Sequence, residues 1–262
     1  MPRHDWRDFH LVQDELERWA DTDVDAAQAA LGVQLPAGYR ELMTTLGKGV
    51  ISGMLRVFSP PELEDRQRLF RELTAVYWFF EEPDEVLTRD YALESIEVAD
   101  SLDGDQVIFN PRTGRLHVLP RHDEHTYDMG SDVWDVVTWY QDSGVLYRPH
   151  PFRYFESFAG PVEAANGSGG RAGFGRMTEA VTSLGLHDVV EDDEDGRTLF
   201  VKAIGGYLSF HGIEDTDVYV HFRYRTDRSP DVRTRIWDTA AAAGVRWGPP
   251  WSMRPRSTGA SR

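Results

Sequence analysis

Apolar positions along this chain repeat with two periods. One, near 3.6, marks helix faces; the other, of two, marks half-buried strands. Val12, Leu16 and Trp19 fall at i, i+4 and i+7 and predict a helix over 8–20. Asp23 or Asp25 is placed to cap a short second helix, which Gly32 stops just after Leu31. Pro36 suits the first turn of a third helix, where its missing N–H has no partner to lose; Tyr39, Leu42, Met43 and Leu46 follow on one face. Residues 53–58 read as a strand, and Ser59 with Pro60 and Pro61 opens a longer helix whose inner face is expected to be Leu63, Phe70, Leu73, Tyr77 and Phe80. Ile96 and Val98, then Val107, Ile108 and Phe109, read as strands; Asn110, Pro111, Arg112, Thr113 and Gly114 turn the chain, and Leu116 and Val118 return it. A further strand is expected within 124–128. The last helix of this part is expected to be capped by Ser131, with Val133, Val136, Val137 and Tyr140 inward and Asp132 and Asp135 in a first turn where the helix dipole favours acids. Helices, then short antiparallel strands, then a helix predict an α+β class with helices on one side of a meander.

Residues 160–175 break the pattern. Six of these sixteen positions are glycine, and neither period is present, so a flexible linker is expected. Gly167, Gly169 and Ala172 have G-x-G-x-x-A spacing, which binds a dinucleotide only between a strand and a helix; 161–166 do not read as a strand, so no phosphate site is expected. Beyond it, 176–184 read as a helix ended by Gly185. Residues 198–204 and 207–210 flank Gly205 and Gly206 as a hairpin, 218–224 add a strand, and 230–243 form a helix with Val232, Ile236 and Ala240 inward. The expected plan is a first domain over 1–159, a linker over 160–175, a second small α+β domain (α-β-β-β-α) over 176–250, and a disordered tail over 251–262.

Composition narrows the function classes. With 40% hydrophobic and 27% charged residues, the chain belongs among soluble globular proteins. It has no cysteine, which removes disulfides, thiolate catalysis and cysteine-bound zinc. The opening residues are too polar for a signal peptide and no apolar run reaches membrane-spanning length, so a cytoplasmic location is expected. The net charge of −16 argues against nucleic acid and anionic membranes as partners. Residues 1–160 carry 30 Asp and Glu against 15 Lys and Arg, while 161–262 carry 14 against 13. An acidic first part attracts a basic partner. In the second part Arg223, Arg225, Arg228, Arg233 and Arg235 cluster. They are expected to form a solvated face, with an acidic partner or the acidic first part as the other reading.

The sequence offers little catalytic or metal-binding chemistry. His117, His122 and His125, with Asp123 and Glu124, lack the spacing of a known zinc pattern, and Asp100, Asp103 and Asp105 around Gly104 lack the order of a calcium loop; no metal or other cofactor is expected. There is no G-x-S-x-G elbow, and carboxylates are too many for one pair to stand out as acid and base. The chain is not expected to be an enzyme.

Leu31-Gly32, Leu35-Pro36, Tyr39 and Leu42, then Gly47 and Gly49; Pro61-Glu62-Leu63; the stretch 96–119 with Ala99, Gly104, Asp105 and Ile108; and the closing 131–140 come in an order that resembles the SUKH superfamily, the yeast Smi/Knr cell-wall-regulator family and its bacterial relatives. The likeness covers roughly residues 5–145. It implies a fold of helices and an antiparallel meander, with Leu35, Pro36, Tyr39, Leu42, Gly104 and Asp105 as structural motif residues. It also implies a binding module: an immunity-type protein that neutralises a cognate toxin domain, many of which are nucleases, or a regulatory scaffold for a host protein. On the first reading, Asp100, Asp103, Asp105, Asp123, Glu124 and Asp128 are the expected contacts to a basic toxin surface. The oligomeric state is left open.

Overall fold

In the computed structural model, residues 5–80, 87–150, 152–194, 196–213 and 217–252 are described. The chain divides into two compact units, Met1–Leu11 with Leu16–Ser157, and Val12–Glu15 with Phe158–Arg262. Both mix helices with mostly antiparallel sheet, so the class is α+β.

The first unit runs β1 (His10–Leu11), α1 (Asp21–Leu31), α2 (Tyr39–Thr45), β2 (Gly49–Ile51), β3 (Leu55–Val57), α3 (Leu63–Val76), α4 (Arg89–Leu93), β4 (Ile96–Ser101), β5 (Gln106–Asn110), β6 (Arg115–Leu119), β7 (Tyr127–Asp128), α5 (Val133–Asp142) and β8 (Tyr154–Ser157). Among the described residues its strands form one sheet in the order β1-β8-β2-β3-β4-β5-β6-β7, antiparallel except for β1 on β8. Alternation sends Val107, Phe109, Leu116 and Val118 to one face. There they meet Leu42 and Met43 of α2 and Val136, Val137 and Tyr140 of α5. Ile108 and Leu119 point the other way, onto Phe70 of α3 and Tyr91 of α4. Helices therefore cover both faces of this sheet, not one, because both parities of the central strands are apolar.

The second unit runs β9 (Val162–Gly170), α6 (Phe174–Thr182), β10 (Val189–Asp192), β11 (Gly196–Val201), β12 (Gly206–Ile213), β13 (Asp217–Arg225), α7 (Pro230–Ala242), β14 (Arg246–Trp247) and β15 (Trp251–Ser252). The sheet order is β10-β11-β12-β13-β9-β14, with β15 also on β9. Leu208, Phe210, Val218, Val220 and Phe222 pack against Met177 and Val181 of α6 and Ile236 and Ala240 of α7.

Residues 8–20 are not a helix: Leu16 and Trp19 pack on the first core, while the fully buried Val12 belongs to the second unit, so the three never share a face. The α1 cap position is Ala20, whose N–H is held by the Asp23 carboxylate at 2.8 Å. Asp132, not Ser131, caps α5, accepting from Trp134 N at 2.9 Å. Helix α3 stops at Val76, Tyr77 is extended, and the buried set is Leu63, Phe70 and Thr74.

The glycine-rich 160–175 is not a linker. Nine of its residues form β9, paired with β13 from Val162↔Arg225 to Gly170↔Asp217. The glycines serve close packing: a Cβ on Gly167 would lie 2.7 Å from Val245 Cγ1, and one on Gly169 would lie 2.6 Å from Met177 Sδ. Since β9 is antiparallel to β13, β14 and β15, the G-x-G-x-x-A spacing does not open a parallel β-α-β unit. Trp251 and Ser252, expected in a disordered tail, pair with Ala164 and Glu163; 253–262 lie outside the described residues. The first unit's last strand ends at Ser157, and the second unit also takes in β9, α6 from Phe174 and 12–15, beyond the 176–250 expected.

Candidate functional site

Carboxylates outnumber cations 30 to 15 in residues 1–160, so their fates decide what charged surface remains. Asp105 opens the turn into β5 and is only 4% exposed. Its Oδ2 accepts from Ser101 Oγ at 2.8 Å, Tyr147 OH at 2.7 Å and Tyr140 OH at 3.3 Å, and its Oδ1 accepts from Arg121 N at 3.0 Å. Burial and this neighbouring carboxylate push both phenols upward, which keeps them donors. Asp105 is therefore the centre of a buried network, not a contact residue. Gly104 beside it has φ +100, the left-handed conformation that this turn needs.

Three more of the expected contacts are taken up by neighbours. Asp100 receives both Nε and Nη2 of Arg56, with Arg66 Nη1 at 3.9 Å. Asp128 receives Arg115 through Nε at 3.1 Å and Nη2 at 2.6 Å, which holds its carboxyl below the usual range against partial burial. Asp123 accepts from His125 N at 3.0 Å, Tyr127 OH at 2.9 Å and the His125 ring at 2.8 Å, and these bonds pull it down to about 2. Only Asp103 and Glu124 stay exposed with no carboxylate partner among the described residues. Asp105 is thus withdrawn from the surface, and Asp100, Asp123 and Asp128 are each engaged by a neighbour. Strand-end carboxylates are close to strand-borne arginines and turn N–H groups, and sequence spacing does not reveal that.

The motif residues are structural in their contacts. Tyr39 and Leu42 are buried, with Tyr39 OH donating to Phe58 O at 2.7 Å. Pro36 is buried, and Leu35 packs partly on the core while its N–H donates to Gln28 Oε1 at 3.0 Å. His117 is buried beside Tyr91 OH and His125 is exposed on Asp123; among the described residues no three His, Asp or Glu gather as a metal site would require. The arginine cluster is a solvated face only in part: Arg228 and Arg235 are exposed, as expected, but the other three are not. Arg223 and Arg225 are 1% and 2% exposed, and Arg233 lies over the Tyr224 ring at 4.9 Å.

What remains open is on the helices. Leu69, Leu73 and Val76 sit at i, i+4 and i+7 of α3 and are 39%, 62% and 89% exposed, with Tyr77 at 68%. Two of the positions that the spacing assigned to the core, Leu73 and Tyr77, thus face water. Beside them Arg68 bridges Asp65 and Glu72 at 3.4 and 3.2 Å. At the other end of α3 a groove of about 250 Å³ runs between α1 and the Pro60–Glu62 turn. It is lined by Ala26, Ala27, Ala30, Leu31, Pro60 and Pro61 and by two carboxylates, Asp23 and Glu64.

A buried polar set lies beneath α3. Glu97 on β4 is 5% exposed and accepts from Gln106 Nε2 at 3.1 Å; burial pushes its carboxyl up to about 7. Near it, burial also works against Glu62, but Lys48 at 2.8 Å and Ser59 outweigh it and hold Glu62 below the usual range. Such a split between carboxyls suits acid–base chemistry only where a pocket admits substrate. The grooves beside α3 are lined by neither Glu97 nor Asp100.

No protein-family model, no curated protein and no solved structure matches the chain. Among the described residues no helix is long and apolar enough to cross a membrane.

Proposed function

We propose that the chain is a toxin-neutralising binding protein of the cytoplasm, SUKH-like in its first unit, that acts by covering a basic partner surface without turnover. The observation that carries the reading is the exposed stripe Leu69, Leu73, Val76 and Tyr77, bordered by Asp65 and Glu72. Soluble proteins seldom leave a contiguous apolar face on one helix in water, and such faces are common at protein interfaces. The excess of 30 acids over 15 bases in residues 1–160 selects a basic partner and speeds its approach. On this reading the docking face is α3 rather than the strand ends and loops, and of the six carboxylates there only Asp103 and Glu124 are kept as accessory contacts.

The test is co-expression with basic toxin domains encoded beside the gene, followed by affinity capture. Wild type is expected to rescue growth and to hold the toxin in a complex that weakens with salt. A Leu73→Asp/Val76→Asp variant is expected to fold and to lose both. Rescue by the double variant at wild-type level would overturn the reading.

A further inference from the structure

Arg40 lies beside the first turns of α1 and engages Asp21 at 3.2 Å and Asp25 at 2.5 Å. Lys48 engages Glu62 at 2.8 Å. Asp23 and Glu64 alternate with these residues in sequence, yet neither has a cation within ion-pair distance among the described residues. Both are exposed. Asp23 uses Oδ2 to hold Ala20 N–H, which leaves Oδ1 open. The two carboxylates line a groove together with Ala26, Ala27, Ala30, Leu31, Pro60 and Pro61.

Apolar walls have low polarisability, and a cleft edged by one sign of charge concentrates the field inside it. A hydrated divalent ion is a poor match, because it needs six or more oxygen ligands and the walls offer methyl and ring carbons. A long aliphatic stem ending in a cation matches both features. The stem lies against the alanine and proline carbons while the head reaches a carboxylate, as lysine and arginine do along apolar surfaces. Arginine is the better fit, since its weakly hydrated planar head loses less on leaving water and has donors enough for two carboxylates.

We propose that this groove is the seat for an arginine side chain of the partner. The inference deepens the toxin-binding reading and rests on it for biological meaning, but the groove's preference is measurable without any toxin.

The experiment is a titration of the isotope-labelled full chain with N-acetyl-arginine-N-methylamide, and in parallel with N-acetyl-norleucine-N-methylamide, followed by amide chemical shifts. Saturable shifts at Ala26, Ala27, Ala30 and Glu64 are expected with the arginine probe and not with norleucine. Asp23→Asn/Glu64→Gln, which keeps an acceptor for Ala20 N–H, is expected to weaken the arginine probe about three- to tenfold. Ala30→Trp fills the groove from an exposed helix position and is expected to abolish the shifts. Shifts that fail to saturate, that are equal for the two probes, or that survive in both variants would overturn the proposal. A chain that binds the arginine probe but rescues no cell from a toxin keeps the groove and loses the function; a chain that rescues but ignores the probe does the reverse.

Discussion

Arg225 donates from Nη1 to Glu15 Oε2 at 2.5 Å, across 210 residues of chain. The same guanidinium reaches Gln13 Oε1 at 3.3 Å and grips Asp227 through Nε at 2.9 Å and Nη2 at 2.5 Å, with its side chain 3% exposed. Gln13 in turn donates to Ala159 O at 3.1 Å. Residues 12–15 are thus part of the second unit, although nothing in their local sequence says so. Arg225→Leu removes a cation from among these acceptors and is expected to cost about 3 kcal/mol. Glu15 is half-exposed, so Glu15→Gln is expected to cost less than about 1 kcal/mol. Urea unfolding of the full chain measures both; equal losses would contradict the assignment of Arg225 as the buried anchor.

Glu97 makes stability depend on pH. Its folded carboxyl stands at about 7 against an ordinary 4.5, so its contribution is complete below 4.5 and is lost as pH rises through 7. Glu97→Gln keeps an acceptor for Gln106 and removes the titration. The variant is expected to match wild type near pH 4 and to exceed it by about 3 kcal/mol at pH 8. Denaturation midpoints across that range give the answer, and parallel curves for the two proteins would refute it.

His221 has the opposite sign. Burial, Arg223 and His211 bring it down to about 4 from 6.5. Its Nδ1 is 2.9 Å from Asn166 Oδ1, and a carboxamide oxygen only accepts, so Nδ1 carries the proton of the neutral ring. Its contribution is present above 6.5 and lost as pH falls through 4. The imidazole resonance is expected to titrate near 4, and a midpoint near 6.5 would show an open ring.

Two neighbours on α3 separate packing from docking. Phe70 is buried against Ile108 and Tyr91, and Phe70→Ala is expected to cost about 3–5 kcal/mol. Leu73 lies in water, and Leu73→Asp is expected to change stability by no more than about 0.5 kcal/mol. Thermal unfolding of the two variants checks the contrast.

Gly206 starts β12, where a Cβ would stand 1.9 Å from Arg223 O of the paired strand. Backbone cannot step aside as a side chain can, so Gly206→Ala is expected to cost more than about 2 kcal/mol. At Gly169 the clash is with the end of flexible Met177, and Gly169→Ala is expected to cost less. A reversed order in unfolding experiments would show that β12 does not approach β13 as described.

Local patterning was enough for the α+β class, for the Asn110–Gly114 turn, and for helices near Tyr39, Val133 and Pro230, because each rests on contacts within a few residues. It failed where distant chain decides. Val12, Leu16 and Trp19 have helical spacing but divide between two units. The glycines of β9 look like slack until Val245 and Met177 are seen to need their space. Asp105 and Arg225, charged and therefore expected in water, are buried because groups far along the chain, Tyr140 and Tyr147 for the one and Gln13 and Glu15 for the other, join near neighbours to complete their hydrogen bonds. Burial of a charge is permitted only by the partners that surround it, and those partners are assembled by folding, not by spacing.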